Sequence, residues 1–293
     1  MEAIRQRIQT SIPDNIKQIP ENLKPKPPHH LEHGADSIPT TLAATLVSPT
    51  LSTPTAGSVN AVFTIAAATP ISSPPLTVLA AVLNPSTYAT WNPVFPKATI
   101  TRAAPSPVPP LLEGSPVAAS KPGDILLQGT HVTFEVHLNL DPAKVTSNST
   151  CVVTKLEEFA RATTAAGGNE HRGRKGYRVC WKTTGWQPPP FVLKAERVHE
   201  FLESEDGTGT EYRCYETFSG PLAQVMRFTM VGQLEAAFAA WMDGLKRFVE
   251  GGSNVNTVPA AVAAAATTDT AGAPAAAPAS TTAPAAAAAA AAS

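Results

Sequence analysis

The sequence predicts an α+β fold in which a curved antiparallel sheet wraps round a long C-terminal helix. From Gly123 onward, strand-like segments follow one another with turns and no helices between them, which indicates a meandering antiparallel sheet. Pro221 to Glu250 then repeats apolar residues every three to four positions, as an amphipathic helix does. A run of strands followed by one long helix is typical of α+β rather than βαβ architecture.

The two ends of the chain differ in composition from its middle. Residues 1–58 are rich in Pro, Ser and Thr without a sustained apolar face, and residues 252–293 consist mainly of Ala, Thr and Pro. Segments of this kind offer too little apolar side chain to build a core. We therefore predict one domain over residues 59–251, flanked by a disordered N-terminal arm (1–58) and a disordered C-terminal tail (252–293).

The predicted domain begins with a strand and two short helices. Residues 59–71 alternate as a strand does, and the apolar positions of residues 74–91 indicate two helical pieces broken at Asn84-Pro85. A second strand at Lys97 to Arg102 precedes a proline-rich insertion at 103–122, which we expect to run irregularly over the surface. The remaining strands then form the sheet, and the turn Ser219-Gly220-Pro221 swings the long helix across its open face.

Charge and hydropathy exclude several classes of function. The formal net charge is −1 at pH 7, which gives no long-range attraction to nucleic acid. No stretch of the sequence is apolar for long enough to form a transmembrane segment. Cys151, Cys180 and Cys214 lack CxxC spacing and indicate the reduced thiols of a cytoplasmic protein.

A mitochondrial location is the alternative, but the N-terminal segment fits it poorly. Arg5 and Arg7 lie between isoleucines there, as in a mitochondrial presequence, but Glu2 and Asp14 interrupt the acid-poor pattern that such a presequence needs. We therefore expect the protein to be cytoplasmic.

No cofactor or metal motif stands out. The sequence has no glycine-rich loop that would cradle a phosphate, no nucleophile elbow and no zincin helix. The HHLEH segment at 29–33 has histidines four residues apart, but it directly follows two prolines, and we assign no metal site to it. We predict no cofactor.

Charged residues mark the outer face of each strand, so the alternation also identifies the inner face. In the strand around residues 191–201, Lys194, Glu196 and Glu200 mark the outer face. The residues predicted to point inward are those of the opposite parity, namely Phe191, Leu193, Ala195, Arg197, His199 and Phe201 on this strand and Tyr212, Cys214, Glu216 and Phe218 on the next. Three of these inward residues, Arg197, His199 and Glu216, are polar, and the rest of this face is mainly apolar.

The register between these two strands depends on the turn at Asp206-Gly207. A two-residue type I′ turn, which Asp-Gly favours, sets Arg197 opposite Glu216. A four-residue loop over 206–209 sets His199 opposite Glu216 instead. A three-residue loop would need a bulge to keep the side chains on the same face, and we rank it last.

Several segments resemble the SRPBCC superfamily, the START-like, polyketide cyclase/dehydrase and lipid-transport proteins with a helix-grip fold. The segments are YATWNPVF, the strand pair carrying AERVHEF and YETFSGPL, and LEAAFAAWMDGLKRFVE near the end of the domain. The most specific residues are Trp91-Asn92-Pro93, the run 216–220 and Leu245-Lys246. The resemblance implies an apolar cavity between sheet and helix that holds a hydrophobic ligand, and chemistry in only some members.

Cavity and strand parity together predict a ligand site between the sheet and the last helix. Its expected residues are inward-facing aromatic, apolar and polar side chains from both layers, namely Trp91, Phe134, Trp181, Leu193, Arg197, His199, Tyr212, Glu216, Phe218, Met230, Leu234, Phe238 and Trp241. Arg197 and Glu216 either form an internal ion pair that fixes the register or recognise the polar head of the ligand.

We therefore predict a protein that binds or transports a hydrophobic small molecule, such as a lipid, sterol-like, quinone or polyketide ligand. The alternative is a polyketide cyclase or dehydratase in which His199 moves a proton with the help of Arg197 and Glu216. A third hypothesis is an adaptor that works through its exposed sheet and tails; no particular protein partner is predicted.

Overall fold

The computed structural model describes residues 34–161, 173–185, 189 and 191–251. The strands are β1 (Leu42–Val47), β2 (Ala61–Ile71), β3 (Lys97–Arg102), β4 (His131–Val136), β5 (Ser147–Arg161), β6 (Arg174–Thr183), β7 (Lys194–Glu203) and β8 (Thr210–Ser219). The helices are α1 (Pro75–Leu83), α2 (Tyr88–Trp91), α3 (Pro221–Thr229) and α4 (Val231–Glu250), with short 3-10 helices at 35–37, 85–87 and 110–112. No helix of these residues is both long and apolar enough to cross a membrane.

The eight strands form one curved antiparallel sheet that carries the helices on its inner face. Their spatial order is β1-β2-β8-β7-β6-β5-β4-β3, so every hairpin-connected pair from β3 to β8 is a neighbour pair. Helix α4 packs against β1 and β2 and against α1 and α2, while α3 packs against β2 and β8. This arrangement confirms the predicted α+β class and the meandering sheet.

The passage from β8 into α3 depends on Gly220. This residue has φ = +99°, a conformation that only glycine adopts without strain, and a Cβ atom here would lie 2.6 Å from the carbonyl oxygen of Val192. Pro221 follows at the first helical position, where its missing N–H costs nothing. The helix α3 therefore begins directly after β8, with no loop between them, as the sequence predicts.

The predicted single helix over 221–250 is wrong in one respect, because it is broken at Met230. That residue has φ = −126° and ψ = −2°, which ends α3 and lets α4 begin in a new direction. A straight helix of this length would extend about 45 Å. Both helices contact β2, and the break allows α3 to contact β8 as well while α4 contacts β1.

The predicted extent of the disordered N-terminal arm is also wrong for residues 34–58. Strand β1 pairs with β2 at the edge of the sheet, and the chain after it covers the outer face. The Leu51 N–H donates to Thr64 Oγ1 at 3.0 Å, and Thr217 Oγ1 donates to the Leu51 carbonyl at 2.8 Å. The segment LAATLV is short and close to prolines, so it cannot be predicted to form a strand from its own sequence. Its hydrogen-bonding partners lie on β2. Residues 1–33 and 252–293 lie outside the described residues.

The covered outer face has a core of its own. Its buried apolar residues come from the N-terminal segment and from four strands, and they are Ala35, Ile38, Leu51, Ala66, Ala68, Cys180, Val198 and Tyr215. Glu196 and Glu200 lie on this face, as predicted, but they are buried rather than solvated. Glu196 accepts hydrogen bonds from the backbone N–H groups of Thr55 and Ala56, and Glu200 pairs with Arg178.

The proline-rich insertion at 103–122 is irregular, as predicted, apart from its 3-10 helix at 110–112. It is not confined to the surface, however. Leu112 and Val117 are fully buried in the main core, which anchors the insertion to the domain.

Candidate functional site

A cavity of about 230 Å³ lies between the sheet and helices α3 and α4. It is lined by side chains from β4, β5, β6, β7, β8, the two helices and neighbouring loops, namely Phe95, Val136, Leu138, Ser147, Asn148, Ser149, Thr150, Thr183, Thr184, Leu193, Ala195, Arg197, Glu216, Phe218, Met226 and Leu234. Ser147 and Asn148 are exposed, so the cavity opens to solvent beside the start of β5. No residue of the insertion 103–122 is among its lining residues.

The polar end of the cavity is formed by Arg197 on β7 and Glu216 on β8. The two residues are direct partners in the β7–β8 register, which confirms the first of the two predicted pairings. Arg197 Nε and Nη2 both donate to Glu216 Oε2, at 2.9 and 2.7 Å. Burial alone would lower the Arg197 pKa, but the Glu216 carboxylate outweighs it and raises the pKa above its ordinary value, so the guanidinium stays charged.

The hairpin turn that sets this register differs from the predicted two-residue turn. The Ser204 N–H donates to the Gly209 carbonyl at 3.0 Å, and the Gly207 N–H donates to the Ser204 carbonyl at 3.0 Å. Four residues, Glu205 to Thr208, therefore close the hairpin. The loop is centred on the same point as the predicted turn, so the register is unchanged.

Aromatic rings surround the guanidinium of Arg197. Its central carbon lies 4.3 Å from the ring centroid of Phe238, 5.1 Å from that of Phe95 and 5.8 Å from that of Trp241. Such cation–π contacts favour a buried arginine. Arg197 is consequently held by packing as well as by Glu216.

His199 lies behind the cavity in the packed core and does not line it. Trp241 Nε1 donates to the Tyr212 hydroxyl at 2.7 Å, and that hydroxyl lies 2.7 Å from His199 Nδ1. Since an indole N–H can only donate, the Tyr212 hydroxyl accepts from Trp241 and gives its own proton to Nδ1. Burial, and secondarily the charge of Arg197, lowers the pKa of His199 well below its usual value, so the imidazole is neutral.

The thirteen predicted site residues lie in three different places. Five of the thirteen line the cavity: Leu193, Arg197, Glu216, Phe218 and Leu234. Seven are buried in the core instead, namely Trp91, Phe134, Trp181, His199, Tyr212, Phe238 and Trp241, and Met230 lies at the helix break. The large rings pack against one another, with 5.0 Å between the centroids of Trp91 and Trp241, and so fill space that the sequence predicts as cavity.

One predicted inward residue does not face the interior at all. Phe191 precedes β7 and is largely exposed, because the strand begins only at Lys194. The predicted inward residues within β7, which are Ala195, Arg197, His199 and Phe201, are buried.

Sequence reasoning missed several lining residues. Val136 and Leu138 lie two and four residues after Phe134, a predicted site residue, so the alternation of inward and outward positions could have indicated them. Met226 lies on the apolar stripe of α3. The hydroxyl residues Ser149 and Thr150 carry no sequence signal for a cavity, because polar residues at the start of a strand are usually solvated.

The three cysteines are free and buried, which makes them poor nucleophiles. Burial raises the pKa of both Cys151 and Cys214 to about 12, and it also raises that of Cys180. Among the described residues, no group of three or more histidine, cysteine or acidic side chains could hold a metal ion.

The architecture is an antiparallel sheet that grips a C-terminal helix, which is a helix-grip fold. No family model matches the chain. A relative in Penicillium oxalicum (strain 114-2), the oxopyrrolidines biosynthesis cluster protein O, is 30% identical over 207 residues, which are 69% of this chain and 93% of the relative. The chain belongs to the family of that protein.

Solved structures with similar folds share little sequence with this chain. An aromatase/cyclase from Streptomyces sp. R1128 is 12% identical, with coverage of 65% of this chain and 97% of its own and a TM-score of 0.37. A norcoclaurine synthase point mutant from Thalictrum flavum is 10% identical, with coverage of 72% and 99% and a TM-score of 0.38. A START superfamily protein from Mycobacterium smegmatis is 10% identical, with coverage of 60% and 94% and a TM-score of 0.34.

Proposed function

We propose that this protein binds a hydrophobic small molecule in the cavity between the sheet and helices α3 and α4. The observation that carries this proposal is the cavity itself, which combines apolar side chains with a set of Ser, Thr and Asn residues at 147–150 and 183–184 and one largely buried ion pair, Arg197 with Glu216. Ligand sites commonly combine a mainly apolar lining with a few fixed polar groups that orient the ligand.

The size of the cavity limits the ligand. Cavities for drug-sized ligands are roughly 300–1,000 Å³, and this one holds about 230 Å³. A whole sterol or a long lipid would not be enclosed. Among the ligand classes that the sequence suggests, a quinone or a small ring of polyketide origin fits best, or one end of a longer molecule that extends past Ser147 and Asn148.

The relative's name supports a ligand of this kind. It assigns that protein to a biosynthesis cluster for oxopyrrolidines, which are small ring compounds. Binding of a small cyclic intermediate or product by members of this family agrees with the volume and lining of the cavity.

The enzymatic alternative lacks its acid–base group. A general acid or base must reach the proton that it transfers, within hydrogen-bond distance or through one water. His199 is completely buried, hydrogen-bonded to Tyr212 and not part of the cavity wall. We therefore favour binding over a cyclase or dehydratase reaction that uses His199.

The test is binding of a small aromatic probe, 2-naphthol, followed by its fluorescence. Met226→Trp places a large side chain into the cavity and should abolish binding, because Met226 lines it. Phe228→Trp is the matched control, since Phe228 lies two residues away on α3 and is 84% exposed. Binding that survives Met226→Trp, in a protein that is still folded by circular dichroism, would refute the proposal.

Mass spectrometry of solvent extracts from the purified protein would complement the probe. A retained compound that is absent from extracts of the Met226→Trp variant would identify the natural ligand.

A further inference from the structure

The Arg197–Glu216 pair uses only one of the two carboxylate oxygens. Both arginine donors, Nε and Nη2, are directed at Oε2 of Glu216. Oε1 has no partner among the described residues. An ionised carboxylate with one free oxygen can accept a further, strong hydrogen bond.

Glu216, rather than Arg197, presents the accessible polar group in the cavity. The side chain of Arg197 is 5% exposed and that of Glu216 is 15% exposed. The rings of Phe95, Phe238 and Trp241 surround the guanidinium, and its Nη1 atom is buried and has no hydrogen-bond partner in the described part of the chain. The cavity therefore offers a ligand a hydrogen-bond acceptor at its polar end.

The charge of the site favours a neutral ligand. Arg197 and Glu216 are the only charged residues among the described residues that line the cavity, and they neutralise each other. An anionic ligand would meet the carboxylate oxygen directly. A cationic ligand would add a third, uncompensated charge to a poorly hydrated site, which is costly.

The remaining walls fit the carbon skeleton of a ring. Phe95, Phe218, Leu234 and Met226 supply apolar surface from both the sheet and the helices. On β5, Ser149 has only the Cys151 sulfur as a side-chain partner, at 3.6 Å, so its hydroxyl can serve a carbonyl or hydroxyl oxygen of the ligand.

We infer that the ligand is a neutral ring compound with an N–H or O–H donor, such as a lactam or a phenol, and that this donor binds Oε1 of Glu216. The inference rests on the proposed function, because it names the chemistry of the molecule held in the same cavity. It makes Glu216 a residue that determines specificity rather than only a partner that stabilises Arg197.

Two matched pairs of probes test the inference on the unmodified protein. The first pair is 2-naphthol and 2-methoxynaphthalene, and the second is 5-benzylpyrrolidin-2-one and its N-methyl derivative. In each pair a methyl group replaces the proton that would be donated. We expect the donor compound to bind at least about tenfold more tightly by calorimetry or NMR titration, since a hydrogen bond to a charged group is lost in its partner.

A double variant distinguishes the lost hydrogen bond from crowding by the methyl group. Arg197→Met together with Glu216→Leu replaces the ion pair with apolar side chains of similar size, and the preference for the donor compounds should disappear. Glu250→Gln is the control, because Glu250 is paired with Lys246 away from the cavity, and this variant should keep the preference.

Each result is decisive. Equal binding of both members of a pair to the unmodified protein overturns the inference and leaves the proposed function intact. A preference that persists in the double variant overturns the role of Glu216. If no probe binds and solvent extracts of the purified protein contain no retained compound, both the inference and the proposed function fail.

Discussion

Arg197 and Glu216 face each other across the β7–β8 hairpin, and a single oxygen of Glu216 accepts both hydrogen bonds from Arg197. Both residues are largely removed from water, so each charge depends on the other for compensation. A pair of this kind contributes little net stability over an apolar pair, but losing one partner is expensive.

We predict that Arg197→Met lowers the free energy of unfolding by about 3–5 kcal/mol, because Glu216 then remains as an unpaired charge near the core. The double variant with Glu216→Leu should recover most of this loss. Urea denaturation of both single variants and the double variant gives the coupling energy. Additive losses would contradict the interdependence of the two charges.

The hydroxyl of Tyr212 serves two partners at once, Trp241 Nε1 and His199 Nδ1. We expect Tyr212→Phe to cost about 1–3 kcal/mol of unfolding free energy, since it leaves two buried groups without a hydrogen bond. Tyr215→Phe is a suitable comparison, because its hydroxyl donates only to the Ser52 carbonyl, and it should cost less. Equal losses would mean that the Tyr212 hydroxyl matters no more than a single ordinary hydrogen bond.

His199 should make the stability of the protein depend on pH. Burial, and secondarily Arg197, lowers its pKa well below 6.5 in the folded state. Between the folded and unfolded pKa values the unfolded chain therefore binds more protons, so stability falls as the pH drops below about 6.5, by up to about 1.4 kcal/mol per pH unit. Above that pH the imidazole is neutral in both states and contributes no pH dependence.

Denaturant unfolding of the unmodified protein and of His199→Gln at several pH values between 7.5 and 5 measures this effect. In the variant, the slope of the unfolding free energy against pH should decrease by the contribution of about one bound proton. An identical slope in both proteins would show that His199 is not the group responsible.

Two glycines of α4 should respond to alanine in opposite ways. A Cβ atom on Gly244 would lie 2.0 Å from the carbonyl oxygen of Trp91, whereas one on Gly232 meets nothing within 4 Å. Gly232→Ala should stabilise the protein slightly, by up to about 0.5 kcal/mol, because alanine is the better helix former but Gly232 is only the second residue of α4. Gly244→Ala should destabilise it by at least about 2 kcal/mol, since backbone must move to make room.

Thermal unfolding of these two variants provides the measurement. A small effect of Gly244→Ala would mean that α4 is not pressed against α2, and the close contact between Trp91 and Trp241 would then need another explanation.

The register of the polar pair could be predicted from sequence because charge alternation and the Asp206-Gly207 turn both constrain it. Lys194, Glu196 and Glu200 identify the outer face of β7, which fixes the parity of Arg197. The position of the turn then fixes the partner on β8, even though the loop is longer than a two-residue turn.

The extent of the cavity could not be predicted in this way. Alternation shows that Trp181 and Phe134 point inward, but not whether space remains beside them. The centroids of these two rings lie 5.6 Å apart, so their side chains fill the interior there. Only the packing of several elements determines that the remaining space lies near Phe218 and Leu234.

The helix break and the first strand have long-range causes as well. The apolar stripe continues on both sides of Met230, so no local signal marks the change of direction. Strand β1 is stabilised by residues of β2 that are distant in sequence. Patterns within one segment cannot reveal partners of this kind.

The N-terminal segment at 34–58, which covers the outer face of the sheet, sets the minimum length of a fragment that folds on its own. A fragment that starts at Val59 would remove the N–H groups that bind the Glu196 carboxylate, together with Leu51 and Ile38 above Tyr215 and Val198. It would expose an apolar sheet surface and a free strand edge, both of which promote aggregation. A soluble fragment should therefore begin no later than Gly34.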